Sequence, residues 1–118
     1  LLKSIEKHYR GDEPIDVYIV DDGISAASKH KLKASVNDWV LHLRYIAMAD
    51  AIPHGERLPA VANTYPLNTF IRLFIPHFLP QHLQKALFMD GDMIVLDDIR
   101  GPWNQPIGQC VIGAVQDS

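Results

Sequence analysis

A single cysteine in 118 residues, Cys110, excludes an internal disulfide and a zinc site built on cysteines. Its isolation fits a reducing compartment. Cys110 opens the apolar run Cys110-Val111-Ile112 and is expected to behave as a small buried hydrophobe. There is no basic cluster, and the formal net charge is −3 with a pI near 6.0. That balance argues against a nucleic-acid partner. No stretch approaches the ~20 apolar residues of a membrane-spanning helix, and no signal peptide is visible. Internal repeats and low-complexity segments are absent too. What remains is an ordinary composition, 47% apolar and 21% charged, in a chain long enough to bury a core. Its first residue already lies inside a helical pattern, so the chain reads as part of a longer protein.

The most informative stretch is Leu87-Phe88-Met89-Asp90-Gly91-Asp92-Met93-Ile94-Val95-Leu96. A continuous apolar run of this length predicts a strand buried on both faces. Carboxylates inside such a run must be paired, protonated or bound to metal, because an isolated buried charge is costly. On an extended chain, Asp90 and Asp92 point to one side with Cα atoms roughly 6.6 Å apart. Gly91 leaves space for a ligand or another backbone. Two hard oxygen donors suit Mg²⁺ or Mn²⁺, and either ion can hold a diphosphate. The same residues also fit a tight turn centred on Asp90-Gly91 between two apolar runs. Spacing alone leaves both readings open.

The rest of the chain supplies an α/β frame. Leu1, Leu2, Ile5 and Tyr9 recur at helical spacing, and Gly11 closes that helix. Ile15 to Val20 is a β-branched strand running into Asp21-Asp22-Gly23, and Ser25 caps a helix over about 25–37. Trp39 to Ile46 predicts a second strand. Alternating helices and strands at this spacing predict a parallel sheet, whose ligands bind beyond the carboxyl ends of the strands. Asp21, Asp22, Asp90 and Asp92 all fall at or near such ends.

Residues 47 to 63 read as an irregular loop with a solvated His54. A helix from about Tyr65 to the residue before Pro76 carries an apolar face of Phe70, Leu73 and Phe74 and a polar stripe of Asn68, Thr69 and Arg72. Arg72 is either a surface arginine or a phosphate fork, for which a guanidinium is well shaped. His77 and His82 read as surface or loop-packing residues. Asp97 and Asp98 are expected to cap a helical turn with Trp103 packed beneath it, and Val111 to Val115 to form a last strand.

Thr69-Phe70-Ile71-Arg72-Leu73-Phe74-Ile75-Pro76, followed by Leu87-Phe88-Met89-Asp90-Gly91-Asp92-Met93-Ile94-Val95 and Asp98-Ile99, resembles glycosyltransferase family 8. Val20-Asp21-Asp22-Gly23-Ile24-Ser25 resembles the second strand and turn of that family, so nearly the whole chain is covered. The resemblance implies a nucleotide-diphospho-sugar transferase of GT-A type, a Rossmann-like mixed α/β sheet with flanking helices. Residues 1–118 would be its donor-binding half, lacking the first strand and the C-terminal part. It implies retaining transfer of a hexose from UDP-glucose or UDP-galactose to a glycan acceptor, with Mn²⁺ or Mg²⁺ as cofactor. Asp90 and Asp92 would ligate the metal, and Arg72, Gly91 and Asp92 would join them around the donor. Asp117 would lie near the transferred sugar as the candidate catalytic residue.

The family's metal-binding histidine would follow Ser118, and none of the six histidines here matches it. These 118 residues alone are therefore expected to be poor catalysts. The resemblance further implies bacterial cell-surface glycan synthesis such as that of lipopolysaccharide, in the cytoplasm and at the inner face of the membrane. Two rivals stand beside it. One is an aspartyl-phosphate phosphotransferase with Asp90 as nucleophile, which Met93-Ile94 fits poorly. The other is a non-catalytic sugar-nucleotide-binding or assembly domain with Asp90-Gly91 as a plain turn.

Overall fold

The computed structural model describes residues 1–54, 56 and 67–114, without the side chains of residues 67 and 68. Its centre is a pair of parallel strands, β1 (Ile15–Asp21) and β2 (Leu41–Ala47), in register from Ile15 opposite Leu41 to Asp21 opposite Ala47. Alternation along β2 sets the faces. Leu41 is fully buried, with Leu43 and Tyr45 half-buried on the same side, whereas His42 and Arg44 face outward. On the outer face the Asp16 carboxylate accepts from Arg44 Nε at 2.9 Å, a diagonal cross-strand pair. A one-residue slip would bury Arg44 and expose Leu41, so the pattern of side chains fixes the register.

The connections follow from local chemistry. Helix α1 (Leu2–His8) buries Ile5, and Glu6 Oε2 accepts from the Asn37 backbone N at 2.9 Å, which ties α1 to the entry of β2. After β1 the chain reverses through Gly23, at φ +84°, a conformation that suits glycine alone. Asp21 Oδ1 accepts from Ile24 N at 2.6 Å, and its other oxygen pairs with Lys29. Ser25 caps helix α2 (Ala26–Ser35) by accepting from Ser28 N, as its position predicts. A short helix α3 (Met48–Ala51) opens what reads as irregular loop, and His54 is exposed as expected.

Four expectations change. The segment Leu67–Phe74 is a 3-10 helix, continued by helix α4 (Ile75–Phe78) with Pro76 in its first turn, so Pro76 begins a turn of helix where the sequence predicts an end. Three residues per turn rotate the inner face, so Ile71 is buried while Leu73 is exposed. Trp39 lies outside β2 and is exposed, because the chain turns at Asn37, whose carbonyl accepts from Val40 N and Leu41 N. Residues 111–114 form no strand, and Cys110, Val111 and Ile112 are exposed. Nothing among the described residues lies beside them as a ladder partner, and an apolar run without a partner has no strand to join.

The fourth change concerns the central run. Residues 87–96 are neither a buried strand nor half of a hairpin. Met93 N donates to Asp90 O at 3.2 Å, a reverse turn with Gly91 and Asp92 at its centre, one residue later than the tight turn the sequence suggests. Neither central residue has positive φ, so it is not the hairpin type of turn. Ile94 and Leu96 are 73% and 82% exposed. Burial on both faces requires neighbouring strands and a layer on each side, and the sheet of the described residues has two strands.

Leu41→Ala should cost about 2–5 kcal/mol in chemical denaturation, since it truncates the largest fully buried side chain among the described residues. A loss below about 0.5 kcal/mol would show that the β1–β2 face is not a core. Lys29, and then the Ile24 amide, hold the Asp21 carboxyl below its ordinary range. Its folded pKa is thus lower than its unfolded one, so the stability it contributes is present at neutral pH and is lost as pH falls through the folded value. Asp21→Asn should lower the melting midpoint at pH 7 and flatten its decline on acidification. An unchanged acid limb would show that Asp21 is not the group responsible.

Candidate functional site

The 3-10 helix repeats every three residues, which places Thr69 and Arg72 along one exposed edge. The Asn68 side chain of the expected polar stripe lies outside the described residues. From this edge Arg72 reaches the turn at residues 90–93. Its Nη2 lies 3.4 Å from Asp90 Oδ1, and its guanidinium carbon sits 4.5 Å from the centre of the Phe88 ring. The structure thus brings together two residues, 18 apart in sequence, that the sequence places at one site. An ion pair at this distance between half-exposed groups is worth roughly 0–1 kcal/mol. It orients the side chains more than it stabilises the fold.

Asp92 and Gly91 are exposed on the same turn. A Cβ built on Gly91 would meet nothing within 4 Å, so the space beside it is open, as the sequence reading requires. Asp117 lies outside the described residues. Asp21 is at the carboxyl end of β1, yet its carboxylate is taken up by Lys29 and Ile24, so it is no free ligand. His77 and His82 are exposed, and no group of three or more His, Cys, Asp or Glu side chains among the described residues could hold a metal. Asp90 and Asp92 are two hard oxygen donors on open backbone. No third His, Cys, Asp or Glu side chain among the described residues joins them, so on their own they would supply only part of a cation's ligands.

The turn is anchored behind the site. Val95 N donates to Ser4 Oγ at 2.9 Å, and Ser4 in turn donates to Leu1 O, so α1 holds the stretch that leaves the turn. Farther on, Asp98 Oδ1 accepts from Arg100 N at 3.0 Å just ahead of the short helix α5 (Arg100–Trp103). The N-cap position is held by Ile99 without a side-chain bond, and Asp97 accepts from Asp98 N, so neither aspartate is the helix cap that the sequence suggests. The Asp98 carboxylate grips Arg100 Nε and Nη2 at 2.8 and 2.6 Å, and Arg100 lies over the Tyr9 ring. Trp103 is not packed beneath the turn as expected; its ring is partly exposed, with Lys85 Nζ 5.1 Å from its centre. Sequence reasoning passes over Phe88 and Ser4. Their partners are 16 and 91 residues away, beyond any local spacing rule.

With this geometry in view, comparison with known proteins decides the family. The sequence profile of Glycosyl transferase family 8 matches residues 1–118. The chain belongs to that family. It is 41% identical over 51 residues to "Glycosyltransferase 8 domain-containing protein 1" of Xenopus tropicalis, a match covering 43% of this chain and 14% of that protein. It is 19% identical over 109 residues to "General stress protein A" of Bacillus subtilis (strain 168), covering 91% of this chain and 37% of that protein. The chain therefore spans well under half the length of these relatives. No solved structure gives a significant match. A parallel pair of strands with flanking helices is consistent with part of a family 8 domain.

Gly91→Ala should leave stability within about 0.5 kcal/mol of the parent, because its backbone needs no positive φ and its surroundings are open. Thermal melting checks this. A marked loss would mean that the space beside Gly91 is filled by the protein itself.

Proposed function

We propose that this chain is the donor-binding half of a retaining glycosyltransferase that moves a hexose from a UDP-sugar, UDP-glucose or UDP-galactose, to a glycan acceptor. The observation that carries the reading is the approach of Arg72 to Asp90, 3.4 Å apart on the open turn of a family 8 chain. Asp90 and Asp92 would hold Mn²⁺ or Mg²⁺, which when bound neutralises charge growing on the departing diphosphate. The protein's part is binding and orientation. Arg72 presents a planar fork of donors, of which Nη2 alone engages Asp90 among the described residues. Its other N–H groups make no hydrogen bond among the described residues and would be offered to phosphate oxygens. Gly91 leaves the turn without a side chain where the donor would approach. Asp117 belongs in this reading beside the transferred sugar.

Calorimetric titration of UDP into the intact protein tests the proposal. Binding should require Mn²⁺, vanish with EDTA, and weaken by about tenfold or more in Asp90→Asn and Asp92→Asn, each of which removes a charged ligand. Arg72→Ala should weaken it by roughly tenfold through loss of charge-assisted hydrogen bonds. A folded intact protein that binds no UDP with or without metal would overturn the transferase reading and favour an assembly role.

A further inference from the structure

The geometry points to Phe88 as a positioning residue for Arg72, a seat that fixes the guanidinium over the Asp90-Gly91-Asp92 turn. We propose that this aromatic seat sets donor affinity; the inference rests on the donor-binding reading above and extends it to a residue that touches no ligand. Arg72 leaves an exposed edge of the 3-10 helix on a long, flexible side chain, with about half of it in solvent. Holding such a side chain in one geometry costs rotamer entropy. The Asp90 contact alone does not hold it, since 3.4 Å between exposed groups is a long, weak pair with one nitrogen engaged.

The Phe88 ring supplies the missing restraint. The guanidinium carbon lies 4.5 Å from the ring centre, within the range where a cation is drawn to the face of an aromatic. A ring beneath the cation and a carboxylate at one end fix both its location and its rotation. Because the ring carries no hydrogen-bonding atom, it holds Arg72 without consuming any N–H needed for phosphate. Phe88 is also tied to the turn it serves, two residues before Asp90, so the seat and the carboxylate move together. Phe88 itself is 40% exposed, too open for its ring to be explained by core packing.

Removing the seat should therefore weaken ground-state and transition-state binding alike, raising donor KM while leaving kcat nearly unchanged. The test uses the intact protein with Mn²⁺, UDP by calorimetry, and the UDP-sugar that supports turnover. Phe88→Leu should raise both UDP Kd and donor KM about three- to fivefold, the size of one exposed cation–π contact. It should change kcat less than about twofold and leave the melting midpoint close to the parent's. Phe88→Tyr keeps the ring and should restore Kd and KM to within about twofold.

The deciding arm is additivity. If Phe88 acts through Arg72, Phe88→Leu should cost nothing further in an Arg72→Ala background. An equal cost in both backgrounds, or none in either, overturns the assignment. UDP binding that is weakened by Arg72→Ala but untouched by Phe88→Leu overturns the seat and keeps the donor site. UDP binding indifferent to Arg72→Ala overturns the seat and also removes Arg72 from the donor site, leaving only the Asp90 and Asp92 variants to speak for that site. Failure of the parent protein to bind UDP at all overturns both.

Discussion

The parallel pairing of Ile15–Asp21 with Leu41–Ala47 is the constraint on which the rest of the structure depends. Parallel strands cannot be joined by a hairpin, so the chain must cross over, and Ala26–Ser35 is that crossover. The crossover begins at a turn that only Gly23 can make and that Asp21 closes with a side-chain bond. It ends at Asn37, whose carbonyl and side chain organise the entry to Leu41. Leu41 disappears from solvent because register and alternation put it on the inner face. The outer face pairs Arg44 with Asp16, an exposed contact that contributes little energy. Lys29 of the crossover helix pairs with Asp21 at the carboxyl end of β1.

The site hangs from this frame by polar ties more than by apolar packing. Ser4 joins α1 to Val95, Glu6 joins α1 to Asn37, and Asp98 with Arg100 folds the following turn back toward Tyr9. These ties set the exit of the turn at residues 90–93, while the Arg72 pair and stack set its entry. The consequence is a turn held at both ends and free in the middle. Gly91 sits at that free point with open space around it. A binding loop positioned by fixed ends is a common way to combine access with orientation.

What was legible in the sequence was whatever local chemistry decides. The Ser25 cap and the Asp98 turn stand where the residues place them, because each depends on neighbours within four positions. The β-branched run ending in Asp21-Asp22-Gly23 is a strand because it also finds a partner in Leu41–Ala47. The pairing of Arg72 with Asp90 was legible only through resemblance to a family, since nothing in either residue's spacing reports the other. The run from Leu87 to Leu96 shows the limit. Apolar content predicts burial on both faces, but burial is a property of what surrounds a segment, and the described residues supply no third strand. Cys110 fails for the same reason. Phe88 was legible as apolar and not as a seat, because a cation over its ring leaves no mark in periodicity.

The exposure of both carboxylates bears on how a metal would be held in the proposed reaction. A buried pair of aspartates would bind an ion tightly by itself, since two unpaired charges in low dielectric demand a counter-ion. Asp90 and Asp92 stand in solvent, and Asp90 already has Arg72 beside it. Water and the guanidinium satisfy much of what the metal would offer. In the proposed reading these two carboxylates by themselves would hold an ion weakly, and the remaining ligands would come from the diphosphate and from other groups. Metal and donor would then stabilise one another, each raising the affinity of the other to the same degree by linkage. Arg72, beside Asp90 and over the Phe88 ring, would stand next to that assembly.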